Sequence, residues 1–102
     1  MDIEEIQKKI VEFAKLRSKA RGFQLTPELS YIHLIEELGE VARQLSNKKI
    51  RPELFDDENL KEEIVDVILE SLILADICGL DINNEIEKKI DTLFKRHDFS
   101  KE

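Results

Sequence analysis

Residues 62–78 read EEIVDVILESLILADIC, and this stretch decides the fold because acidic residues interrupt an otherwise apolar helix. Eleven of its last fifteen residues are apolar, and a helix that is hydrophobic nearly all round is usually buried. At about 100° per residue, Glu63, Asp66 and Glu70 project as one stripe on that helix. Because buried charges need partners, the stripe predicts a site with its own chemistry rather than a solvated surface.

A second acidic motif, HLIEELGE at residues 33–40, lies on the preceding predicted helix. Its Glu37 and Glu40 are one turn apart, and His33 precedes Glu37 by one turn, where it is a candidate to orient a ligand or contact substrate. A solvated polar face would show the same pattern. The helix divides into an apolar face of Leu34, Leu38, Val41, Ala42 and Leu45 and a polar face of His33, Glu37, Glu40 and Gln44.

Packing of these two helices against each other would bring four carboxylates together. Two unit charges about 6 Å apart repel by roughly 3 kcal/mol at an effective dielectric near 20. Either protonation of some acids or a hard cation such as Mg²⁺ or Mn²⁺ offsets this cost. We favour a divalent-metal site. Glu70, one turn beyond Asp66, is a further candidate, either as a ligand or as a residue that supports the ligands.

The spacing of the acids carries a family resemblance. Glu36-Glu37-x-x-Glu40, then 22 residues, then Glu63-x-x-Asp66 resembles the signature of the MazG-type all-α nucleoside triphosphate pyrophosphohydrolases. The surroundings are similar too, so the resemblance covers most of the chain. They comprise Phe23, Thr26-Pro27, Ala75-Asp76 and Gly79-Leu80-Asp81.

The resemblance implies Mg²⁺-dependent hydrolysis of a nucleoside triphosphate to a monophosphate and pyrophosphate, with Mn²⁺ as a substitute metal. The metal ligands it implies are Glu37, Glu40, Glu63 and Asp66, with Glu36 as an auxiliary acid. Water is the nucleophile, and Glu36 or Glu37 is the candidate to take its proton. The usual role of such enzymes is nucleotide-pool house-cleaning, which includes modified or deoxy nucleotides.

The C-terminal helix resembles the family in part. Relatives often have a Lys, an Asn four residues later and an Arg three beyond; here Lys89 and Arg96 fit, and Leu93 takes the middle place. The resemblance therefore favours Lys89 and Arg96 for phosphate contact and assigns no residue to the base.

Length and composition predict a single domain over residues 1–102, with a core small enough to favour burial through oligomerisation. The net charge of −7 argues against general nucleic-acid binding. A single cysteine excludes an intramolecular disulfide, and no apolar run is long enough for a signal peptide or a membrane span. We therefore expect a cytoplasmic protein.

Periodicity and capping residues predict an all-α, four-helix fold. Broad apolar faces on so short a chain favour oligomerisation, and the resemblance likewise implies a bundle completed as a homodimer or homotetramer. We expect helices from about Asp2 to Lys19, from Thr26-Pro27 to about Ser46, from the Asp56 region to Gly79, and after a capping Asp81; residues 97–102 form a tail. Residues 47–57 form the main connection. We expect the basic residues of the first helix to be solvated, with phosphate contact as the alternative.

Two other functions fit the acidic pattern. The related phosphoribosyl-ATP pyrophosphohydrolase of histidine synthesis shares it. A non-catalytic helical interaction module could instead use the acids to bind a metal structurally.

Overall fold

The computed structural model describes residues 1–97, which form four α-helices and one short 3₁₀ turn. Within these residues there is no strand, so the all-α prediction is confirmed, and no helix has the length and apolar character needed to cross a membrane. The predicted tail beyond residue 97 lies outside the described residues. The helices are α1 (Ile3–Ala20), α2 (Pro27–Ile50), α3 (Asp57–Ile77) and α4 (Ile82–Arg96), and the 3₁₀ turn is Pro52–Leu54.

The helix starts follow from local side-chain chemistry. Thr26 Oγ1 accepts a hydrogen bond from the Leu29 amide at 3.2 Å, and Pro27 occupies the first position of α2. Asp56 Oδ1 caps α3 by accepting from the Asn59 amide, also at 3.2 Å. Both starts agree with the prediction.

The C-terminal ends of α1 and α3 each reach a glycine with positive φ. Gly22 and Gly79 both have φ near 77°, a conformation that costs glycine little. The predicted cap of α4 is wrong in one detail. Asp81 stands at the N-cap, but its carboxylate accepts from the Asn84 side-chain amide at 2.8 Å rather than from a backbone amide.

Helix α2 continues one turn beyond the predicted end at Ser46 and stops at Ile50. Lys48 and Lys49 occupy its last turn, where cations are favourable to the helix dipole. The effective stop is Pro52, because proline disfavours the helical conformation at the residue before it. The polar residues after Ser46 therefore do not mark the end of the helix.

Helix α3 is the centre of the fold, since it packs against both α1 and α2, whereas α1 and α2 do not contact each other in the described chain. Gln7 on α1 donates a hydrogen bond to the Leu72 carbonyl at 3.1 Å. The buried apolar core is small and consists of Val11, Ala14, Leu60, Leu72 and Ile73.

Helix α2 turns its polar side toward α3. Ser30 and Gln44 are buried, and Gln44 Oε1 accepts from the Asp56 amide at 3.0 Å. On the opposite side, Leu38 and Leu45 are 43% and 49% exposed. The alternative of a fully solvated polar face on this helix is therefore wrong, and the predicted apolar face is largely uncovered in one chain.

Helix α4 lies at the periphery of the fold and is the most exposed of the four helices. It contacts α1 and α3 but not α2, and none of its residues is buried. Its apolar residues Ile86, Ile90, Leu93 and Phe94 are exposed. The radius of gyration is accordingly 17.0 Å, compared with about 13 Å for a compact chain of this length.

Candidate metal centre

The predicted metal ligands lie on α2 and α3, the two helices that pack most extensively against each other. Glu37 and Glu40 project from α2, and Glu63 and Asp66 project from α3; we call these four residues the acid face. The charge of Asp66 raises the pKa of Glu37, and the charge of Glu40 raises the pKa of Glu63. Such effects act mainly at short range, and α2 and α3 are packed against each other. Glu63 is buried and Glu37 half-buried, while Glu40 and Asp66 are exposed, so the face opens to solvent on one side.

Glu37 has a raised pKa, and several causes contribute to it. Burial raises its pKa above the ordinary 4.5, and the charges of Glu40, Asp66 and Glu70 raise it further. A hydrogen bond with Glu40 adds to the shift, because it needs a proton on one of the two carboxyl groups. The raised pKa disfavours the charged form of Glu37, an effect that a nearby cation would oppose.

Glu63 is buried and is held by a neighbour one turn earlier on α3. The Asn59 side-chain amide donates to Glu63 Oε1 at 3.1 Å. The pKa of Glu63 is raised chiefly by burial and then by Glu40, while the nearby Arg43 acts in the opposite direction. A carboxylate fixed through one oxygen presents the other oxygen in a defined place.

Buried carboxylate oxygens without hydrogen-bond partners bear on whether these residues suit a metal ion. Within the described residues, Oε2 of Glu37, Glu63 and Glu70 are buried and accept no hydrogen bond. An unsatisfied buried acceptor costs about 1–3 kcal/mol. An all-oxygen donor set is the kind that Mg²⁺ and Mn²⁺ prefer. The chemistry of these donors suits such a cation, but within residues 1–97 no group of three or more His, Cys, Asp or Glu side chains is gathered at metal-binding spacing.

The remaining candidates fall in different places. Glu36 is exposed on α2 beside Glu37. His33 contacts Phe23 edge-on, with ring centroids 6.3 Å apart, and its Nδ1 is buried without a hydrogen-bond partner in the described chain. Lys89 and Arg96 are exposed on α4, which does not contact α2. One chain therefore does not bring the predicted phosphate-binding residues against α2.

Comparison with known proteins identifies the family. A family model described as the MazG nucleotide pyrophosphohydrolase domain matches residues 25–99. The chain belongs to this family. Membership implies a nucleotide pyrophosphohydrolase, which is a hydrolase of acid anhydrides. A search of curated proteins found no match.

The matched MazG segment includes α2, α3 and α4, and it leaves α1 outside. Yet Arg17 of α1 forms an ion pair with Glu70 of α3, with Nη2 and Oε1 3.3 Å apart. The expectation that the basic residues of α1 are solvated is wrong at this position. No local pattern could have revealed the pair, because its members are 53 residues apart.

Asn59 is a further neighbour of the predicted ligands that the sequence pattern did not single out. It precedes Glu63 by four residues, the spacing at which helical side chains meet. The four-residue spacing could have indicated a contact between Asn59 and Glu63. Because Asn59 also follows Asp56 closely, it was interpreted only as part of the helix start. The structure adds the contact with Glu63.

The raised pKa of Glu37 predicts a pH-dependent stability in the metal-free MazG domain. The folded state keeps the Glu37 proton above the unfolded pKa of about 4.5, so the folded state binds more protons. The free energy of unfolding therefore falls as pH rises from that value through the raised pKa. Glu37→Gln removes this contribution. Urea unfolding in EDTA gives a midpoint for each protein, and the wild-type midpoint minus the variant midpoint should decrease as pH rises. A difference that grows with pH would contradict the assignment.

Proposed function

We propose that this protein hydrolyses nucleoside triphosphates, including modified or deoxy nucleotides, to a nucleoside monophosphate and pyrophosphate in a Mg²⁺-dependent reaction. One observation supports the proposal: Glu37 of α2 and Glu63 of α3 each keep a buried carboxylate oxygen without a partner, and the pKa of each is raised by burial and by an acid of the other helix. The acid face is partly desolvated and contains buried carboxylate oxygens with no protein donor among the described residues. Nucleotide-pool house-cleaning is the role that this activity suggests.

The roles of the residues follow from their positions. Glu37, Glu40, Glu63 and Asp66 would hold Mg²⁺, and Mn²⁺ could replace it. Bound metal supplies Lewis acidity toward phosphate oxygens and offsets charge on the pyrophosphate leaving group. Glu36 or Glu37 accepts the proton of the attacking water as the anhydride between the α- and β-phosphates breaks. Asn59 keeps Glu63 in place during this step.

We further propose that the active form is a homodimer or homotetramer. The accessible surface of one chain is 7858 Å², whereas a compact monomer of 11.9 kDa has about 5,900 Å². Large apolar side chains are exposed on α2, α3 and α4, among them Tyr31, Ile32, Ile35, Ile68, Ile90 and Phe94. A second copy covers such a surface without a different partner.

This assembly predicts a mass of at least two chains of 11.9 kDa each in solution. Ile32→Glu places a charge on the outward side of α2, where Ile32 is 49% exposed, and should shift the protein toward the monomer. Light scattering coupled to size-exclusion chromatography measures both masses. Gln24→Glu, in the loop before α2, adds the same charge and should leave the mass unchanged. A wild-type chain that is monomeric at high concentration would contradict the assembly.

Lys89 and Arg96 remain candidates for phosphate contact across a chain boundary. Within one chain, α4 does not reach α2. An oligomer can bring α4 of one copy to the acid face of another, which would place cations beside the triphosphate. On this arrangement, hydrolysis depends on assembly as well as on the metal.

The proposed reaction is tested by incubating the protein with a panel of nucleoside triphosphates and assaying pyrophosphate and orthophosphate separately. Release of pyrophosphate supports the proposal, and the ranking of nucleotides identifies the preferred substrate. Phosphoribosyl-ATP belongs in the panel, because preferential turnover of that compound would favour the enzyme of histidine synthesis. Thermal stabilisation by Mg²⁺ with no hydrolysis of any compound would favour a non-catalytic interaction module.

A further inference from the structure

An ion pair links α1 to the edge of the acid face. Arg17 Nη2 and Glu70 Oε1 are 3.3 Å apart, and the two side chains are 22% and 10% exposed. Surface ion pairs contribute little, but this pair is largely shielded from water. Its position therefore points to a role more specific than solubility.

Glu70 is paired with Arg17 and lies on the same helix as two residues of the acid face. It follows Asp66 by one turn of α3, and its charge contributes to the raised pKa of Glu37 on α2. Only one of its carboxylate oxygens is occupied by Arg17, because Oε2 is buried and accepts no hydrogen bond within the described residues. Glu37 and Glu63 of the acid face also each have a buried Oε2 without a hydrogen-bond partner in the described residues.

Arg17 is itself held in place. Its guanidinium carbon lies 5.4 Å from the centre of the Phe13 ring, a cation–π contact within α1. A planar guanidinium supported in this way restricts the orientation of the carboxylate that it binds. Arg17 thus has the properties of a residue that orients Glu70.

We propose that Arg17 holds Glu70 so that its second carboxylate oxygen serves the divalent cation of the acid face, which makes Glu70 a further metal-site carboxylate and Arg17 its positioning residue. The inference rests on the proposed function only for the presence of that cation. It also gives α1, which lies outside the segment matched by the family model, a part in the site.

A purely electrostatic role for Arg17 predicts the opposite effect on metal binding. A positive charge near a cation site opposes the cation, so its removal should strengthen Mg²⁺ binding. Removal of a positioning residue should instead weaken Mg²⁺ binding, because Glu70 loses its fixed orientation. Whether the loss of Arg17 strengthens or weakens Mg²⁺ binding therefore distinguishes the electrostatic role from the positioning role.

The test measures Mg²⁺ affinity by isothermal titration calorimetry on the full chain. Glu70→Gln and Arg17→Met should each weaken the Kd for Mg²⁺ by about 10–100-fold, the usual effect of losing a residue that supports metal ligands. Arg17→Lys keeps the charge but loses the planar fork, and should restore affinity only in part. Arg21→Met removes an exposed charge just after α1 and should leave the Kd unchanged. Circular dichroism of each metal-free variant reports whether it is folded.

An Arg17→Met protein that binds Mg²⁺ as tightly as the wild type, or more tightly, overturns the positioning role. A Glu70→Gln protein with unchanged affinity overturns the role of Glu70. If Arg17→Met does not fold, Arg17→Lys and Glu70→Gln still decide the question. Binding is measured without turnover, so this inference and the proposed hydrolysis can fail separately. If the protein hydrolyses no triphosphate but the variants show the expected order of Mg²⁺ affinities, this inference is supported and the proposed hydrolysis is rejected.

Discussion

Glu63→Gln is expected to lower the rate of pyrophosphate release by at least about 100-fold. Glu63 is a buried acid of α3 whose Oε1 is fixed by Asn59 and whose Oε2 has no donor in the described chain. Gln has nearly the same shape but offers the cation a neutral amide, so the site loses a charged ligand. Initial rates at saturating nucleotide and several Mg²⁺ concentrations measure the effect.

Glu62→Gln is the matched control for this substitution. Glu62 is the adjacent residue, exposed and outside the stripe formed by Glu63, Asp66 and Glu70, so its neutralisation should change the rate little. Metal-free Glu63→Gln should be no less stable than the wild type, because the change removes a buried charge from an acidic surrounding. A fully active Glu63→Gln enzyme would remove Glu63 from the metal site.

Ile73→Ala is expected to destabilise the protein by about 2–4 kcal/mol. Ile73 lies on α3 and is only 1% exposed. Since α3 alone contacts both α1 and α2, a cavity there weakens the packing of the whole chain. Urea unfolding at a fixed protein concentration measures the loss as a shift in midpoint.

Ile50→Ala is the control for the core substitution. Ile50 ends α2 and is 74% exposed, so the same truncation should change stability by less than about 0.5 kcal/mol. Equal losses in the two variants would show that the core is not centred on α3 as described.

Local signals were sufficient to predict much of the fold. The caps at Thr26 and Asp56 and the glycines after α1 and α3 depend on neighbouring residues, and the structure confirms them. The acid stripe of α3 was also readable, because acids at helical spacing within an apolar run rarely serve solubility alone. These features require no knowledge of how the helices pack.

Tertiary packing determines what the sequence could not provide. The polar and apolar sides of α2 are both clear in the sequence, but which side meets α3 depends on the partner helix. The Arg17–Glu70 pair joins residues 53 positions apart, and no periodicity connects them. The exposure of α4 also could not be predicted from its amphipathic pattern, because a helix packed within its own chain has the same pattern.

The direct test of the metal-dependent site compares wild type with Glu40→Gln in the rate of pyrophosphate release over a series of Mg²⁺ concentrations, starting from EDTA-treated protein. We predict that the wild-type rate is negligible without Mg²⁺ and rises to saturation. Glu40→Gln should need far more Mg²⁺ and reach a much lower rate. Equal rates with and without Mg²⁺, or superimposable titrations of the two proteins, would contradict an acid face that binds the metal for hydrolysis.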